Sequence, residues 1–115
     1  MIDAMPQDKI FTAICCRDKP GADIARIRQE VLAEHLAHIE QTIDDILLAG
    51  PLFSADGKSV TGSLLIYKAA SREAAQAMLE TDPYFKAGIW QDITFDVLYG
   101  AAGDAVGGLA FKEKM

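Results

Sequence analysis

Lys9-Ile10-Phe11-Thr12-Ala13-Ile14-Cys15-Cys16-Arg17, broken at once by Asp18-Lys19-Pro20-Gly21, is the stretch on which the fold turns. β-Branched and aromatic residues suit a pleated strand. Apolar side chains occupy both sets of alternate positions, which predicts a strand buried on two faces. A sheet built around such a strand needs two covers, and the rest of the chain must supply them or recruit them.

The segment that follows supplies the first. Residues 22–46 read as one long amphipathic helix, with Asp23 favourable in its first turn. At about 100° per residue, Ile24, Ile27, Val31, Leu32, Leu36, Ile39, Ile43 and Ile46 share about half of the wheel, and Arg26, Glu30, Glu40 and Asp44 lie mostly opposite. Residues 47–53 form a short apolar run in which Gly50 marks a bulge or a close approach. Asp56-Gly57 then signals a turn, and Val60 to Tyr67 returns as the second arm of a hairpin. Ser71 caps a second helix over 71–81, stopped where Pro83 restricts Asp82. Residues 91–99 alternate Ile93, Phe95, Val97 and Tyr99 with Asp92, Thr94, Asp96 and Leu98, as a strand does.

The order is β-α-β-β-α-β, the split βαβ or ferredoxin-like arrangement of the α+β class. It implies a four-stranded antiparallel sheet with two helices on one face. A second copy of the chain is the simplest cover for the other face, giving a homodimer that closes as an α+β barrel. Residues 1–99 read as a single domain, and 100–115 as a tail, mobile or paired with a partner chain, that holds four of the nine glycines.

Composition narrows the function. With 115 residues, one domain is expected. With a net charge of −6 and 11 Lys plus Arg, nucleic acid is not an expected partner. No apolar run is long enough to span a membrane, and no secretory leader is read at the start. Cys15 and Cys16 are neighbours, a poor geometry for a bridge, so buried thiols in the reducing cytoplasm are expected. No dinucleotide fingerprint, P-loop or nucleophile elbow is present, and no cofactor is expected.

Two polar residues interrupt the apolar stripe of the first helix. His35 lies between Val31 and Ile39, and Arg28 stands two turns earlier on nearly the same line. A buried polar group must be paired. Either His35 bonds a backbone carbonyl and Arg28 extends its head to water, or His35 is a general acid/base at a pocket edge and Arg28 holds an anionic group. Asp82 is either a turn aspartate or the acceptor that fixes the tautomer of His35. Ser63, after Gly62, is either a ligand contact or a mark of close helix-on-sheet packing. His38 follows His35 by three, but no third ligand is evident, so no metal site is expected.

His35-Leu36, Ala49-Gly50-Pro51-Leu52, Asp56-Gly57, Thr61-Gly62-Ser63, Ser71-Arg72-Glu73-Ala74-Ala75, Asp82-Pro83-Tyr84 and Ala87-Gly88 occur in this order along residues 9–99. As an ordered set they resemble the YciI-like (YCII-related) family of dimeric α+β barrels. The resemblance implies a working pair at His35 and Asp82, with Ser63, Gly50, Pro51 and Tyr84 around a small-molecule substrate, and the wheel adds Arg28 as a further substrate-binding candidate. In the family's commonest pattern an Arg precedes the His by three, where this chain has Leu32. The reactions implied are of isomerase, lyase or dehydrochlorinase type. The alternatives are a non-catalytic dimer that binds a small molecule or is purely structural, and a cofactor-free monooxygenase.

Overall fold

The computed structural model describes residues 1–113. Four strands, β1 (Ile10–Asp18), β2 (Ile46–Phe53), β3 (Val60–Tyr67) and β4 (Trp90–Tyr99), form one sheet in the order β2-β3-β1-β4. Every pairing is antiparallel. Helices α1 (Ala22–Gln41), α2 (Arg72–Leu79) and α3 (Pro83–Ala87) complete the regular structure. This is the ferredoxin-like α+β fold. None of the described helices is long and apolar enough to cross a membrane.

The doubly apolar β1 sits at the centre of the sheet, as its composition requires. Ile14 and Cys16 face one layer, together with Leu65 and Tyr67 of β3, and meet Ala75 and Leu79 of α2, Tyr84 of α3, and Ile89 and Trp90. Ile24, Ile27, Val31 and Ile39 of α1 pack on the edge of this core. Thr12 is buried among these apolar groups and donates its hydroxyl to the Ala69 carbonyl at 2.8 Å. Burial pushes the Cys16 thiol up from 9.0 to about 12, with smaller contributions from Cys15 and Asp82, so it remains a thiol at neutral pH.

Three points differ from the reading of the sequence. Helix α1 ends at Gln41 rather than continuing to 46, because Thr42 turns its hydroxyl back onto the His38 carbonyl. Asp44 and Asp45 would also sit at the negative end of the helix dipole. A 3-10 turn over Ile43–Asp45 follows, so Ile46 becomes the first residue of β2 and Ile43 is exposed. Asp82 does more than end a helix: it caps α3, with Pro83 in the first turn and Gly88 in the left-handed conformation at the far end. Gly50 is no bulge, since it pairs regularly with Leu64 and has open space where a side chain would project. The close approach is at Gly62 instead, where a Cβ would collide with the Cys16 carbonyl oxygen of the neighbouring strand.

Over its described residues, 100–113, the tail is not a free arm. Gly100 donates its N–H to the Lys9 carbonyl at 2.8 Å, and two 3-10 turns, Asp104–Val106 and Ala110–Lys112, fold the chain back. Val106 and Ala110 pack on Phe11, beside Leu47 and Ile66, on the sheet face away from the helices. Gly107 and Gly108 have φ of 82° and 101°, and an antiparallel bridge between Gly103 and Gly108 closes the loop. The glycines are therefore needed by a tight turn. This strap leaves Phe11 only 4% exposed. Deleting residues 101–115 should expose that ring and cost about 2 kcal/mol, read as a lower midpoint in urea. An unchanged midpoint would show that the strap contributes nothing.

Candidate active site

The candidate site lies along α1, where its outer half stands away from β2 and β3. A cleft of about 880 Å³ runs there, lined along α1 by Ile24, Arg28, Leu32, His35, Leu36 and Ile39. Its other wall includes Gly50 and Pro51 of β2 and Ser63 and Leu65 of β3. Leu32 and Leu36, placed on the core face by the helical wheel, are exposed at this cleft, Leu36 by 50%.

His35 projects from the middle of α1 with its side chain 14% exposed. Its Nδ1 lies 2.9 Å from Oδ1 of Asp82, a carboxylate with no exposed surface. The Tyr84 backbone N–H donates to the same Oδ1 at 2.8 Å, which is the N-cap bond of α3. One oxygen thus starts a helix and receives the imidazole. The second oxygen, Oδ2, is buried without a hydrogen-bond partner among the described residues. A carboxylate held in this way accepts from Nδ1–H, which puts the lone pair of the ring on Nε2. The Tyr84 ring stacks on the imidazole, with centroids 4.0 Å apart and planes 18° apart. Trp90 meets Tyr84 edge-on at 6.2 Å. Bond and stack together hold both the direction and the plane of the His35 ring.

Arg28 occupies the next part of the cleft, and its head does not run out to water. Its Nε and Nη2 donate to the two oxygens of Asp18, each at 2.7 Å, and Nη2 also donates to Ser63 Oγ at 3.0 Å. Burial disfavours the guanidinium charge, but the Asp18 carboxylate outweighs it and holds the Arg28 pKa above its ordinary value. The guanidinium carbon lies 5.0 Å from the Tyr84 ring centre, and the Tyr84 hydroxyl donates to the Arg28 carbonyl at 3.3 Å. Arg28, Ser63, Tyr84, His35 and Asp82 are therefore one connected set. Tyr84 enters it as a buried support, whereas Gly50 and Pro51 stand on the open wall.

Asp18 is the residue that sequence reasoning missed. It appears there only as part of a strand-breaking tetrapeptide, yet it fixes Arg28. Its position at the end of β1, beside the first turns of α1, is a consequence of topology that no local spacing announces. His38 belongs elsewhere, 3.3 Å from the Thr81 hydroxyl in a separate small cleft.

Residues 10–95 match the YCII-related domain. The chain belongs to the YCII-related family. Two relatives called Protein YciI, from Escherichia coli O6:H1 and Shigella flexneri, are each 35% identical over 88 residues, covering 70% of this chain and 88% of theirs. Among solved structures, the 5-chloro-2-hydroxyhydroquinone dehydrochlorinase of Burkholderia phenoliruptrix, in complex with 2,5-dihydroxybenzoquinone, is similar with a TM-score of 0.68 and 31% identity. That match covers 82% of this chain and 96% of the other. A conserved protein from Methanosarcina mazei, 8% identical with a TM-score of 0.52, shares the fold alone. Within this YCII-related chain, the matched segment runs from β1 into β4 and includes every residue of the His35 and Arg28 clusters, while the strap lies beyond it.

Proposed function

We propose that this protein is an acid/base enzyme that works without a cofactor on an organic substrate bound along α1. The observation that carries the reading is the 2.9 Å contact between His35 Nδ1 and a fully buried Asp82 at the wall of an open cleft. In this reading Nε2 removes a proton from a substrate carbon or hydroxyl. In an elimination, the released electron pair forms a new double bond as chloride departs with the electrons of its own bond. In an isomerisation, the imidazolium returns the same proton to another carbon. Asp82 faces the cation formed on the ring and stabilises it. The likeness to a dehydrochlorinase over most of both chains supports the elimination form.

The test is chloride release from 5-chloro-2-hydroxyhydroquinone, followed with a chloride electrode under anaerobic conditions. Chloride release by the wild-type protein, abolished in His35→Asn, is expected. Equal release by the two proteins would remove His35 from the chemistry.

The same reading includes a homodimer in the reducing cytoplasm. The sheet face away from the helices still presents Leu48, 59% exposed, and Leu98, 37% exposed. A second copy packed there, sheet on sheet, closes the barrel. Sedimentation equilibrium should give twice the 12.4 kDa chain mass, and a single-chain mass would show that the strap is cover enough.

A further inference from the structure

The cleft is much longer than a single ring needs. Its α1 wall runs from Gly21 to Ile39, about 27 Å at the helical rise. The polar groups along it are spaced out. His35 stands towards one end, Arg28 and Ser63 lie nearer the middle, and Lys19 and Lys58 line the far end, with the Lys58 stem on the β2–β3 turn and the Lys19 ammonium turned towards Gly88 at the end of α3. Between them Ile24, Leu32, Val60 and Leu65 supply apolar wall, interrupted by Gln29, Ser59 and Thr61.

The charges along the cleft are uneven. Its lining holds three formal cations, Lys19, Arg28 and Lys58, and one carboxylate, Asp18, in a chain whose net charge is −6. Asp18 is committed to Arg28 through two bonds of 2.7 Å. Among the described residues, neither Lys19 nor Lys58 has an ion-pair partner. The positive surplus therefore lies at the end remote from His35. A cationic recess on an acidic protein attracts anions and repels little that is neutral.

We infer that the substrate is an elongated organic anion, with its reacting ring or carbonyl at His35 and a carboxylate or phosphate at the far end, beside Lys58 and within the field of Lys19. This rests on the reading of His35 as the base, since that places the reacting end. It goes beyond that reading in adding a second, charged group about 15 Å or more away along the helix, which strengthens binding over that of a single ring. Between the two stations the connecting chain would run over Leu32, Ile24 and Val60, past an Arg28 head already held by Asp18 and Ser63.

The experiment measures binding by calorimetry, with occupancy of the cleft verified by amide shift changes. The probes are 2,5-dihydroxyphenylacetate, its homologue with an octanoate chain, and the primary amide of each. At low salt the long acid should bind at least about tenfold more tightly than the long amide, and the short pair should differ little. The ratio for the long pair should fall close to one in the double variant Lys19→Gln, Lys58→Gln. Both lysines are exposed, so the fold should tolerate the change. In His35→Asn the ratio should persist, which separates this inference from the acid/base reading: failure of that reading appears in turnover, not in the acid-to-amide ratio. A ratio near one for the long pair, an equal preference in the short pair, a preference that survives the lysine changes, or no binding in the cleft would each overturn it.

Discussion

His35→Asn should lower turnover by about 10³-fold while the protein stays folded. Asn reaches toward the same Asp82 oxygen with a donor of similar position, so the buried carboxylate keeps a partner, but it has no basic lone pair to present at Nε2. Because His35 retains part of its exposure at the cleft, the stability change should stay within about 1–2 kcal/mol. The measurement is kcat and kcat/KM beside a thermal melt. If Nε2 acts only in the chemical step, kcat and kcat/KM should fall together. A rise in KM at constant kcat would instead make His35 a binding residue.

Asp82→Ala should be the most destabilising single change in the site, at about 3 kcal/mol. The substitution removes the N-cap of α3, worth about 1 kcal/mol, and strands the buried Nδ1–H of His35, which adds about 1–3 kcal/mol. For a domain of this size the melting temperature should drop by roughly 10 °C. Asp82→Asn separates the two duties. Its amide oxygen still accepts from Tyr84 N–H and from the imidazole, so much of the stability should survive, whereas the negative charge facing the ring is lost. Turnover in Asp82→Asn should therefore fall about 10²-fold or more with a smaller shift in melting temperature. A variant as active as the wild type would reduce Asp82 to a structural cap.

The sheet was legible because its signals are local and repeated. β1 carries apolar residues on both faces, β4 alternates, and Asp56-Gly57 sits between two β-rich runs. Helix α1 was legible in its start but not in its end, since Ile43 and Ile46 continue the helical period while Thr42 and the two aspartates act against it. The signals for α3 were present: Asp82, Pro83 and Gly88 are a cap, a first-turn proline and a left-handed stop. Reading Pro83 only as a breaker hid them. The strap was misread because glycine reports turn geometry as readily as freedom, and only the contact of Val106 and Ala110 with Phe11 decides between the two.

The site was legible in part. The wheel aligns Arg28 with His35, and the family resemblance points to Asp82. Nothing in the spacing says that Tyr84 stacks on His35, or that Asp18 takes the charge of Arg28, because both contacts join elements that meet only once the helices lie on the sheet. Asp18 also changes the expectation for Arg28. A guanidinium already bound by two bonds to a carboxylate serves as a support for Ser63 more readily than as a free hook for a substrate anion.

In the proposed mechanism Asp82 turns His35 so that a basic Nε2 faces the cleft. Long-range nitrogen–proton correlation of the imidazole signals reads that tautomer, and the chain has only two histidines to assign. At a pH where the ring is neutral, His35 should show a protonated Nδ1 and a bare, pyridine-like Nε2, with that preference lost in Asp82→Ala. A His35 ring that carries its proton on Nε2 in the wild-type protein would contradict it.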